Sequence, residues 1–140
     1  MTDGLDQALA NAGLVLLNAD PIVPALVVFD GYVTAGTQPP YVVVYSYVSR
    51  LRSNENNAAD NKSKALIARW ICHCVGGNSV EARAIAQRVR TQMLDARPTI
   101  TGLSVGMVEQ EEDQPPARDE STGTPVFDTV QVYALNATAS

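Results

Sequence analysis

The chain is short of charge, of aromatic rings and of cysteine. Of its 140 residues 18% are Asp, Glu, Lys or Arg and 6% are aromatic, with two cysteines and one histidine. Its longest apolar runs, around residues 14–17, 25–29 and 41–45, fall far short of the ~20 residues that a membrane-spanning helix requires. The amino terminus, Met1-Thr2-Asp3-Gly4, is acidic where a secretory signal needs a basic segment, so the expectation is a soluble protein made in the cytoplasm without membrane contact. Positive charge is scarce as well: 15 Asp and Glu against 10 Lys and Arg give a formal charge of -5. That balance argues against sequence-independent binding to phosphate backbones.

What is present suffices for one domain. Two independent units in 140 residues would each sit near the lower size limit. A hydrophobic content of 46% supplies a core, and so lightly charged a surface suggests completion by other subunits.

Leu5, Leu9, Ala12 and Leu16 recur at helical spacing and predict an amphipathic helix over 3–18, with Asp3 as its cap and Pro21 and Pro24 beyond its end. Gly13 inside it costs about 1 kcal/mol relative to Ala, so tertiary packing has to hold that part. Strands are predicted at 26–29, 41–48, 65–75, 103–108 and 126–135 from their β-branched and aromatic density. A second helix opens at Asn78 or Ser79, with Glu81 completing a capping box. It buries Ala82, Ile85, Ala86, Val89 and Met93 and ends before Pro98. The order α-β-β-β-α-β-β predicts a single α+β domain over 1–140. It has a largely antiparallel or mixed sheet of about five strands, with both helices on one face. Residues 49–64 read as a long polar hairpin loop, 109–125 as an acidic, proline-containing interface loop and 136–140 as a flexible tail.

Chemistry is thin. Cys72 and Cys74 flank His73, yet alternation along a strand sends the histidine to the face opposite the thiols, so three metal ligands do not converge. The thiols point the same way about 6.6 Å apart and are expected to be free. No serine sits in a G-x-S-x-G turn to pair with His73, and Gly76-Gly77-Asn78-Ser79 lacks the lysine of a P-loop and reads as a turn with a helix cap. Glu111 and Asp113 could serve in carboxylate catalysis but lie in a charge run beside a proline pair. No catalytic residue, metal or cofactor is therefore expected. Charge patterning is more informative: Arg83, Arg90 and Arg97 follow at seven-residue spacing, facing the acids of 109–120 in composition. These two stripes suit subunit complementarity.

The segments Pro40–Tyr45 and Arg69–Gly76, the helix with Ala84, Val89, Arg90 and Leu94, and above all Gln114-Pro115-Pro116-Ala117-Arg118-Asp119-Glu120-Ser121-Thr122-Gly123-Thr124-Pro125-Val126-Phe127-Asp128 carry a resemblance. Over about two-thirds of its length the chain resembles the tail terminator proteins of long-tailed bacteriophages, those of actinobacteriophages in particular. The resemblance implies a non-enzymatic virion protein of the neck, assembled in the host cytoplasm as a hexameric ring. Such a ring caps the head-proximal end of the tail tube, stops its growth and meets the head-tail connector or stopper protein. It also implies that a long hairpin loop touches ring neighbours or the tube. The interface candidates are Arg50, Arg52, Lys62 and Lys64 in that loop, Arg83, Arg90 and Arg97, and Glu111, Glu112, Asp113, Arg118, Asp119 and Glu120. An acidic lumen would let DNA slide through without being held. The rivals are another neck component or tail-tube relative, a small hydrolase using His73, and a regulatory binding module whose contact surface is the Asn-rich loop.

Overall fold

The computed structural model describes residues 2–51, 65–121 and 125–139. Its elements are α1 (Thr2–Asn18), β1 (Val28–Asp30), β2 (Tyr41–Leu51), β3 (Ala65–Gly76), α2 (Ser79–Met93), β4 (Leu103–Val105), β5 (Glu109–Asp113), β6 (Ala117–Asp119) and β7 (Val126–Ala139). The fold is α+β, with both helices against one face of a single mixed sheet.

The long central strands set the register. β2 and β3 pair antiparallel from Tyr41 opposite Val75 to Leu51 opposite Ala65. β3 pairs antiparallel with β7 along its whole length, while β1 adds to the outer side of β2 in parallel. Because side chains alternate, Leu66, Ala68, Trp70, Cys72 and Cys74 all enter the layer under the helices, with Val42, Val44, Tyr133 and Leu135 from the flanking strands. α2 closes this core with Ala82, Ile85, Ala86, Val89 and Met93, the stripe its periodicity predicts.

Its first turn is also as expected. Asn78 accepts a hydrogen bond from Glu81 N–H at 2.8 Å, and Glu81 reaches back to accept from Gly77 N–H at 2.7 Å. In α1 the helix begins at Thr2, which places Asp3 in the first turn instead of at the cap. Gly13 finds its reason in Trp70: a Cβ there would lie 2.5 Å from the indole nitrogen. The indole N–H donates to Leu9 O at 3.1 Å.

The second half departs from the sequence reading. The described residues form seven strands instead of about five, because the free side of β7 takes three short partners in succession: β4 at 137–139, β5 at 131–134 and β6 at 126–128. Glu109–Asp113 and Ala117–Asp119 are thus edge strands and not parts of a loop. Acidic residues are depleted in strands generally, but an edge strand has one side in water, where charge is tolerated and discourages unwanted pairing. Gly106, whose N–H donates to Asn136 O at 3.0 Å, splits the strand expected at 103–108. Pro115 and Pro116 separate β5 from β6, since neither has an N–H for the ladder. Residues 136–139 continue β7, held between β3 and β4, so most of the expected tail is sheet. Ser49–Leu51 likewise extend β2, and the rest of the expected hairpin loop, 52–64, lies outside the described residues.

Candidate assembly surface

The sheet face turned away from the helices has no second layer among the described residues. On it β2 carries Val43, Tyr45 and Tyr47, β3 carries Ile67, Arg69, Ile71 and His73, and β7 carries Asp128, Val130, Val132 and Ala134. Tyr45 and Tyr47 are 45% and 47% exposed, so two large rings stand in solvent towards the β2 side of a largely apolar surface. Such patches on small proteins mark contact surfaces.

Two polar pairs punctuate it. His73 Nδ1 lies 2.8 Å from Asp128 Oδ2, and the Tyr45 ring stands edge-on to the imidazole with centroids 5.5 Å apart. Arg69 donates to both carboxylate oxygens of Glu111, at 2.8 and 3.3 Å. The hydrogen bond to Asp128 raises the His73 pKa, partial burial opposes it and the aspartate's charge adds to the rise. Protonated His73 therefore favours the fold. That contribution is complete below the unfolded imidazole's value of about 6.5 and is lost as pH rises through the higher folded value. His73→Gln should show a smaller fall in Tm between pH 6 and pH 8.5 than the wild type, and equal falls would remove this role.

The cysteines are elsewhere. Cys72 and Cys74 are free and fully buried on the helix side, opposite His73. Burial pushes the Cys72 thiol up to about 12 and raises that of Cys74 as well, so neither is a nucleophile at neutral pH. Among the described residues no three His, Cys, Asp or Glu side chains gather as a metal site, and no helix is long and apolar enough to cross a membrane.

The charged candidates are partly satisfied within one chain. Arg50 donates to Asp6 at 2.6 Å. Arg90 donates to Asp113, so the basic helix stripe and the acidic strip meet inside the subunit. Glu111 is held by Arg69, which keeps its carboxyl below the usual range. Glu112 accepts from Gln114. Arg118 and Glu120 form an exposed pair at 2.9 Å, and Asp119 accepts from Ser121 N–H at 2.9 Å in a tight turn. Arg83 projects from α2 without an ion-pair partner among the described residues. Arg97 is not on that helix: α2 ends at Met93, and Asp95 then takes a left-handed φ of 64°. Arg88 is the structural arginine, donating to Asp20 at 2.7 Å and to Ile22 O and Pro24 O. Arg52, Lys62 and Lys64 fall outside the described residues.

One feature was invisible in the sequence, namely a free strand edge. Val42 N–H donates to Val27 O at 2.8 Å and Val44 O accepts from Gly31 N–H at 2.9 Å, so the even-numbered residues of β2 aim their backbone groups away from β3. β1 ends at Asp30, opposite Val44. Beyond it the outward N–H and C=O groups of Ser46, Val48 and Arg50 have no neighbouring strand among the described residues. A cleft of about 480 Å3 lies at this edge, lined by Gln7, Ala10, Asp30, Gly31 and Ser46 among others.

No described protein family and no curated protein sequence matches the chain. Solved structures do. A chain from the virion of a native gene transfer agent particle superimposes with a TM-score of 0.73 at 15% identity, over 95% of this chain and 96% of that one. A second solved chain gives 0.64 at 14% identity over 96% of each. At these identities it is the fold that is shared, from end to end.

Proposed function

We propose that this protein is a non-enzymatic component of a phage-type virion neck. It forms a ring, on the hexameric pattern, on the last ring of the tail tube, ends tube growth and presents its other side to the head connector, while DNA passes through the lumen unbound. The observation that carries this reading is the fold shared along nearly the whole chain with a protein of the gene transfer agent virion. The tyrosine-bearing sheet face and the strand edge left unpaired among the described residues support it, since both ask for neighbours. Heterologous contacts that close on themselves give a cyclic ring.

Negative-stain imaging and native mass measurement of the pure protein, alone and with tail tubes, test it. Rings seated at one end of the tube are the expected result. Stacking of the protein into tubes by itself would identify a tube component instead, and a chain that stays monomeric and never touches tubes would remove the reading.

A further inference from the structure

Resting on that ring reading, we propose that neighbouring copies join by strand addition: the outer edge of β5 in one copy pairs with the free edge of β2, Ser46–Leu51, in the next.

Direction comes from the sheet itself. β2 runs antiparallel to β3, β3 to β7 and β7 to β5, so β2 and β5 point in opposite senses. Copies placed side by side in one orientation therefore meet in an antiparallel pair, the more stable of the two kinds of ladder. Length agrees, because β5 spans five residues, with a bulge between Gln110 and Glu112, and the free stretch of β2 spans 46–51.

Charge decides between partners. β5 is Glu-Gln-Glu-Glu-Asp, and pairing it with its own copy would set carboxylates opposite carboxylates, which destabilises a ladder. The β2 edge, Ser46-Tyr47-Val48-Ser49-Arg50-Leu51, has no acid, and its one cation, Arg50, is already held by Asp6. It thus spares the acidic strand the carboxylate-on-carboxylate pairing that its own copy would impose. The product is head-to-tail, since each copy gives one edge and receives the other. Main-chain bonds supply the affinity, as in other strand-addition complexes. The sheet then continues from copy to copy with all helices on one side.

Val48→Pro tests it, because the outward Val48 N–H has no partner among the described residues and proline is tolerated on an edge strand. Val48→Ala trims the same side chain and keeps the N–H. The expected result is normal assembly for Val48→Ala, and for Val48→Pro a monomer of wild-type far-ultraviolet circular dichroism whose assembly is weakened at least about tenfold. Assembly of Val48→Pro at the wild-type concentration overturns strand addition and leaves the ring reading standing. If Val48→Pro does not fold, amide exchange at Ser46, Val48 and Arg50 in the wild type decides: slowing in the assembled state supports the pairing, and unchanged rates overturn it. A wild-type dimer that never enlarges overturns head-to-tail joining, and a wild-type monomer that ignores tubes overturns both readings.

Discussion

Trp70→Ala is expected to cost about 3–5 kcal/mol of stability, a large share of the total for a domain of this size. Trp70 is fully buried at the centre of β3, and its ring lies against α1 where Gly13 leaves room. Truncation removes an apolar contact between α1 and the sheet. It also takes away the indole N–H that donates to Leu9 O at 3.1 Å. The cavity would not close easily, because Trp70 belongs to one packed cluster with the other buried side chains of the helix-side layer. Gly13→Ala attacks the same contact from the other side, as its new methyl would lie 2.5 Å from the indole nitrogen. It should destabilise despite alanine's better helix propensity, by about 1–3 kcal/mol. Denaturant unfolding followed by tryptophan fluorescence for Gly13→Ala, and by circular dichroism for Trp70→Ala, measures both. Retention of wild-type stability by either would contradict the packing described.

The sequence shows some of this architecture readily because the signals are local. The α2 stripe, the Asn78 cap with Glu81, and the alternation that separates Cys72 and Cys74 from His73 all depend on neighbours within a few residues. What stays hidden depends on register between distant strands. Nothing near His73 announces Asp128, fifty-five positions away, or near Arg69 announces Glu111. The acidic run 109–113 looks like a solvated loop by composition and becomes a strand because β7 offers an edge beside it. Arg83, Arg90 and Arg97 look like one stripe because seven-residue spacing assumes an unbroken helix. The turn at Asp95 ends that assumption. The free backbone edge of β2 is a matter of which strand stops first, and no side-chain pattern records it. Charges proposed for subunit contacts are the least legible, since Arg90 and Asp113 find each other within the chain.

Gly76→Ala is the second change expected to have a large effect, at about 3 kcal/mol. Gly76 ends β3 immediately before the turn into α2, and a Cβ there would lie 2.4 Å from the backbone nitrogen of Ala82 and 2.8 Å from the carbonyl carbon of Glu81. Backbone atoms in the first turn of a helix cannot swing aside as a flexible side chain does. The methyl is accommodated only if α2 moves bodily away from the sheet. That movement would pull Ala82, Ile85 and Ala86 out of the core and stretch the Glu81–Gly77 bond of 2.7 Å that closes the helix start. Gly77→Ala is the informative control: its Cβ meets only the Glu81 carboxylate, at 3.4 Å, which is ordinary contact with a movable group. A large loss of Tm for Gly76→Ala beside a small one for Gly77→Ala would locate the constraint in the strand-to-helix approach itself. Equal effects would mean that the turn, and not the packing of α2 on β3, is what glycine serves here.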